Sequence, residues 1–149
     1  MYKQNMTQWK QKTLVAAASL ALAGISFDAS ALALGAVTVH SHLGEPLRAE
    51  IEVPQISEAE AKTLQAALGS PQAFRAAGVE YNPAVAGVRV TLQRRKNGQA
   101  YLRLVGSRPV NEPFLGIVVE SSWANGRVVR DYTMLIDPAD PGKKKLDVE

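Results

Sequence analysis

Residues 46–54 read Pro46-Leu47-Arg48-Ala49-Glu50-Ile51-Glu52-Val53-Pro54. Leu47, Ala49, Ile51 and Val53 alternate with Arg48, Glu50 and Glu52, the period of a strand with one buried and one charged face. Pro54 has no amide proton to give to a ladder, so the strand ends there. Upstream, Val37 and Val39 alternate with Thr38 and His40 as a first strand, and Gly44-Glu45-Pro46 turns the chain between the two. A sheet that is apolar on one face needs a second layer to cover it.

The period changes after Pro54. Ser57 and Glu60 form a capping box, each side chain placed to satisfy the other's backbone N–H. Ala61, Leu64 and Leu68 fall on one helical face, and Gly69 fits the left-handed position that closes a helix. Ser70-Pro71 opens a second, shorter helix with proline at its first position, ended by Gly78, with Phe74 and Ala77 as its buried residues. From Val85 onward the pattern is β. Val88, Val90 and Leu92 alternate with Arg89, Thr91 and Gln93, then Leu102 and Leu104 alternate with Tyr101 and Arg103. Asn97-Gly98 between them predicts a type I′ hairpin. Pro109 and Pro113 fix an extended connection. Phe114 to Val119 is nearly unbroken apolar sequence, expected in a strand covered on both faces. Asn125-Gly126 marks a second tight hairpin. The last strand, Val128 to Ile136, is read with Tyr132, Met134 and Ile136 inward in preference to Thr133 and Leu135.

These elements predict an α+β, mainly β domain. It is either an antiparallel sheet or, preferred because the Phe114 run needs two covers, a small Ig-like antiparallel β-sandwich. About six strands are expected, with a helical pair between strands 2 and 3 that covers a sheet edge or an open end.

The ends of the chain read differently. Lys3, Lys10 and Lys12 precede a twelve-residue run of small and apolar residues from Leu14 to Ile25, and Ala29-Ser30-Ala31 follows. That order is the order of a secretory signal peptide, with cleavage expected after Ala31 and Ala31-Leu32-Ala33 as a second register. A membrane-spanning helix needs about 20 apolar residues. A short buried helix is the competing reading. Residues 32–140 are then the domain, and 141–149, with Lys143-Lys144-Lys145, a disordered tail or the start of a linker. The chain has 17 basic and 14 acidic residues; without the three lysines and Asp28 of the leader, 14 basic and 13 acidic residues remain, a net charge of +1. So small a surplus argues against a nucleic-acid partner, whose phosphates demand concentrated basic charge.

Candidate chemistry is sparse. There is no cysteine, so disulfides and thiolate metal sites are excluded. His40 and His42 sit two apart on one strand face, and Glu50 and Glu52 on the next strand are conceivable further ligands. Two solvated histidines at a strand end are the simpler reading, and no metal or cofactor is assigned. Ser41 lies between the histidines but faces the other way, Ser107 follows only Gly106, and no Gly-x-Ser-x-Gly elbow or phosphate loop occurs. No catalytic residue is assigned either, and the chain is read as no enzyme. Arg94-Arg95-Lys96 at a hairpin tip reads as a solvated tip that guards an edge, with grip on an acidic partner as its functional alternative. Trp123 beside Asn125-Gly126 is expected to pack on its own hairpin.

Several stretches resemble a known family. Leu34-Gly35, Val37-Thr38-Val39 and Ser41-x-Leu43-Gly44-Glu45-Pro46-Leu47-x-Ala49-Glu50-Ile51 are similar to the start of the periplasmic N-terminal domain of FimV/HubP-type polar hub proteins. Ser70-Pro71-x-Ala73-Phe74-x-x-Ala77-Gly78 resembles that domain's helical segment. Glu112-Pro113-Phe114-Leu115, Trp123 and Gly126-Arg127-x-x-Arg130-Asp131-Tyr132-Thr133-x-Leu135-Ile136-Asp137-Pro138 resemble its last hairpin. The resemblance implies a non-catalytic periplasmic interaction module concerned with cell-pole organisation, type IV pilus assembly and twitching motility. The implied partners are cell-envelope proteins, among them pilus-assembly or cell-wall components. A free-standing secreted adaptor or chaperone acting by strand addition is the alternative. In the last hairpin, a turn at Asn125-Gly126 sets Ala124 opposite Arg127, and Arg130 is then expected to pair diagonally with Glu120.

Overall fold

The computed structural model describes residues 32–140. The expected leader and its cleavage site at Ala31, and the expected tail at 141–149, lie outside the described residues. The strands are β1 (Val37–Val39), β2 (Pro46–Val53), β3 (Gln65–Leu68), β4 (Arg89–Arg94), β5 (Ala100–Pro109), β6 (Phe114–Trp123) and β7 (Gly126–Leu135). Helices α1 (Glu58–Thr63) and α2 (Pro71–Ala77) flank β3, and a 3₁₀ turn at Pro83–Val85 leads into β4. Two antiparallel sheets result, one ordered β1-β2-β5-β4 and the other β3-β6-β7.

Strand alternation puts the core where the sequence predicts it. Leu47, Ala49, Ile51 and Val53 of β2 are buried, as are Leu102 and Leu104 of β5. Leu115, Ile117 and Val119 of β6, with Tyr132 and Met134 of β7 and Ile136 just after it, supply the facing layer. Leu32 and Leu34, ahead of β1, are buried in the same cluster. Burying an aliphatic side chain of this size contributes about 1.5–3 kcal/mol. These residues therefore hold the two sheets together.

Four expectations are corrected. First, the helix does not run to Gly69. It ends at Thr63, Leu64 turns extended (φ −65, ψ 126), and β3 pairs with β6 from Gln65↔Ser122 to Leu68↔Val119. The six-residue α1 buries none of its residues, so little resists this exit, whereas the strand gains a ladder and turns Ala66 and Leu68 toward the core. Gly69 continues the pairing through its N–H to Val118 O (2.8 Å) and closes no helix. The sandwich thus has seven strands.

Second, α2 is capped at Ser70 and closed by Gly78 at φ 70 as expected, but Phe74 is its one buried residue and Ala77 is exposed; Ala73 is the alanine that packs. The helix does more than cover an edge. Gly116 and Val118 face away from the sandwich interior, since alternate residues of a strand point to opposite sides. A Cβ on Gly116 would stand 2.6 Å from Val79 Cγ1, and one on Gly69 3.1 Å from Val118 Cγ1 and 2.9 Å from Ala73 Cβ. The segment from α2 to Val79 therefore roofs the outer side of β6, and Val118 is fully buried beneath it. This is the second cover that the Phe114–Val119 run requires.

Third, the β4–β5 turn is not type I′. Gly98 has φ 87, but Asn97 does not enter the positive-φ region. Arg95 N–H donates to Gln99 O and Gly98 N–H to Arg95 O, while Asn97 Oδ1 accepts from Gln99 N. This is a three-residue loop with glycine in the left-handed position.

Fourth, the β6–β7 hairpin turns one residue earlier. Trp123 pairs with Gly126, so the loop is Ala124-Asn125, and Val119 lies opposite Arg130. Trp123 packs on its own hairpin as expected, its ring where a Cβ of Gly126 would be.

Candidate interaction surface

Once β2, β4 and β5 have turned their apolar residues inward, alternation leaves a charged outer face on the four-stranded sheet. The register sets this face in rows. Arg48 (β2), Val105 (β5) and Arg89 (β4) lie side by side; Glu50, Arg103 and Thr91 form the next row, and Glu52, Tyr101 and Gln93 the one after.

The acidic side of this face is internally neutralised. Arg95 reaches back from the hairpin and donates to Glu50 Oε2 (2.7 Å) and Glu52 Oε1 (2.5 Å), while its guanidinium lies 4.3 Å from the centre of the Tyr101 ring. The hydrogen bond from Arg95 is the largest influence on Glu50. It holds the carboxyl below its ordinary pKa against the opposing effect of burial, with smaller help from Arg95's charge and from His40. Arg94 reaches Glu58 (3.2 Å). Two of the three cations of the hairpin tip are thus turned onto carboxylates of the same chain, while Arg94 and Lys96 stay exposed. Neither the spacing nor the composition of Arg94-Arg95-Lys96 signals this; only the return of the hairpin beside β2 does.

The histidines do not converge. His40 Nε2 is 3.5 Å from Glu50 Oε2, and His42 Nδ1 is 3.4 Å from Glu45 Oε1. Glu50 and Glu52 are committed to Arg95. Among the described residues no group of three or more His, Cys, Asp or Glu stands close enough to hold a metal ion. The Ser41 hydroxyl is buried and accepts the N–H of Arg48 (2.9 Å), a structural use. The Ser107 hydroxyl lies beside Gly87.

The basic side of the face is open. Arg48 makes an exposed pair with Glu45 (3.0 Å). Arg89 and Arg103 are exposed and make no ion pair or side-chain hydrogen bond among the described residues. Arg103 stands opposite Glu50 in the register, but Arg95 has taken that carboxylate. Between Arg48 and Arg89 lies Val105, 39% exposed. Two depressions flank this row. One, of about 370 Å³, includes Arg48 and Arg103 in its lining; the other, of about 600 Å³, is bounded by Arg89, Val105 and Ser107.

The β7 side carries a different use of arginine. Arg130 does not pair with Glu120, which takes Arg127 instead (3.1 Å). The earlier turn accounts for this, because it sets Glu120 opposite Val129 and brings Arg127 beside it. Arg130 donates to the carbonyl of Leu34 and lies 4.9 Å from the centre of the Tyr132 ring, and Tyr132 Oη donates to Gly35 O (2.9 Å). Burial raises the Tyr132 pKa, with Arg130 acting in the opposite sense. These side chains strap the segment ahead of β1 to β7.

The sequence of this β-sandwich matches the profile of the FimV N-terminal domain, an Ig-like domain, over residues 32–139. The chain belongs to that family. It is also similar to the motility hub protein FimV of Pseudomonas aeruginosa, in the PAO1 and UCBPP-PA14 strains. In both the identity is 37% over 127 residues, 85% of this chain and 14% of the relative. The chain therefore corresponds to about a seventh of the length of these curated relatives. No solved structure matches it. The family's Ig-like description agrees with the two-sheet architecture, and the matched span coincides with the folded domain.

Proposed function

We propose that this FimV-family domain is a non-catalytic interaction module of the periplasm, contributing to cell-pole organisation, type IV pilus assembly and twitching motility. One observation carries the reading: the 37% identity to a motility hub protein runs across 85% of the chain. The leader-like sequence of residues 1–31 supports export, and the burial of Leu32 and Leu34 favours cleavage after Ala31, which leaves both in the mature domain. No described helix is long and apolar enough to cross a membrane. The partners are cell-envelope proteins, among them pilus-assembly or cell-wall components, and the module meets them through its surface.

A domain exchange tests this. The matching segment of the Pseudomonas aeruginosa hub protein is replaced by residues 32–140, and twitching zones and pole placement of the chimera are scored beside a hub lacking the segment. Restoration toward the native hub is expected. A stably exported chimera that behaves like the deletion overturns the reading.

A further inference from the structure

We propose that the outer face of the four-stranded sheet docks an extended acidic segment of a partner protein, with Arg103, Arg89 and Arg48 as its carboxylate receptors and Val105 as its apolar contact. The proposal rests on the interaction-module reading and names the chemistry of the partner.

The charge on this face is sorted. Arg95 saturates Glu50 and Glu52, so the carboxylates nearest Arg103 are already occupied. Among the described residues Arg103 and Arg89 are left exposed without an acidic partner, one row apart on neighbouring strands. A guanidinium binds a carboxylate through two parallel hydrogen bonds, so such a pair of arginines selects for planar anions. Arg48 adds a third cation whose pair with Glu45 is solvent-exposed and therefore weakly held.

The spacing fits an extended peptide. The Arg48–Val105–Arg89 row and the Arg103 row are two residues apart along β5. Arg103 and Arg89 are diagonal neighbours, roughly 7–8 Å apart, close to the roughly 6.8 Å at which same-face side chains of an extended chain recur. Acidic residues at alternate positions therefore meet Arg103 and Arg89 in turn. The exposed Val105 between two arginines gives an apolar side chain of the partner a place to lose water. A polyanion without apolar groups would leave that contact unused. The other sheet has no equivalent vacancy over β6, because α2 and Val79 roof it.

The test is fluorescence anisotropy of a labelled decapeptide, Val-Ser-Glu-Ser-Glu-Ser-Val-Ser-Glu-Ser, whose glutamates and valines share one face of the extended chain, titrated with the purified chain at low and at physiological salt. Saturable binding is expected, weakened by salt and weakened about tenfold or more by the double variant R89E/R103E, since two charge-assisted contacts are reversed. Val105→Ser is expected to lower affinity several-fold, and the remote Lys62→Glu to leave it unchanged. Because Arg89 and Arg103 make no ion pair among the described residues, R89A/R103A keeps the wild-type Tm, and it is the second variant because R103E sets a carboxylate opposite Glu50. Absence of saturation at millimolar chain, or binding indifferent to both double variants, overturns the proposal. So does equal affinity for polygalacturonate with no response to Val105→Ser, which points to a generic polyanion surface. The two readings fail separately. A chimeric hub carrying R89E/R103E that still restores motility removes the docking surface and spares the module reading. Failure of the unaltered chimera removes the module reading, while the titration still decides the surface.

Discussion

The two outer faces of the sandwich are finished in opposite ways. Over β6, α2 and the residues up to Val79 close down on Gly116 and Val118 and make a small second core. Over β2, β5 and β4 no element packs among the described residues, and the face is finished by ion pairs around Arg95 and by arginines left without carboxylates. A covered face contributes to stability and offers nothing to a partner. An open charged face contributes little to stability and keeps its groups available. The same strand alternation produced both, and what separates them is the loop between β3 and β4, which supplies a roof to one sheet only.

The contrast predicts unequal sensitivity to substitution. The largest effect is expected at Phe74, the fully buried anchor of α2, whose ring meets Tyr81 edge-on at 5.1 Å. Phe74→Ala should cost about 3–5 kcal/mol in urea unfolding at an unchanged m-value, through lost burial and the cavity left behind. A loss below about 1 kcal/mol would mean that α2 rests on β6 without holding it, and the contrast between the faces would collapse.

Gly116 sharpens the same comparison at smaller scale. An alanine there places its Cβ 2.6 Å from Val79 Cγ1, so Val79 has to move. A cost of about 1–3 kcal/mol is expected, and most of it should vanish in a Val79→Ala background, because the two sites share one contact. Thr91→Ala on the open face should change stability by no more than about 0.5 kcal/mol. Equal costs at Gly116 and Thr91 would show that the roof is absent in solution.

The difference between the faces was only half legible in the sequence. The period-two runs of β2, β4 and β5 assign their inward residues without ambiguity, because each is one-sided. The Phe114–Val119 run announces a second cover but does not say what supplies it. The segment 64–69 misleads because Leu64 and Leu68 fit helical spacing as well as Ala66 and Leu68 fit a strand, and only pairing with β6 decides between them. The two Asn-Gly turns each misplace a detail for a related reason. The dipeptide marks a hairpin, yet the residues that occupy the loop are set by how the strands meet. The Arg95 clamp was invisible, since its partners lie more than forty positions upstream. Arg89 and Arg103 were legible as outward residues, while their lack of ion pairs among the described residues required the three-dimensional register.

The Arg95 clamp yields the smallest expected effect and the most direct check of how the open face is neutralised. Arg95's hydrogen bond to Glu50 is the first cause that holds the carboxyl below its ordinary value of 4.5, and burial works against it. A group whose pKa is lowered on folding stabilises the fold in its charged form. That contribution is complete above pH 4.5 and fades as the pH falls through the lower value of the folded state. Glu50→Gln should therefore lower Tm modestly at neutral pH, and the difference from the parent chain should shrink on acidification and disappear once both forms of Glu50 are protonated. In an Arg95→Met background the same substitution should have little pH-dependent effect, because the principal cause of the shift is gone. A Glu50→Gln deficit that stays constant from pH 7 to pH 3, or one that persists undiminished without Arg95, would mean that Glu50 acts through packing. The acidic half of the face would then lie open as well, and Arg103 would have a carboxylate of its own chain within reach.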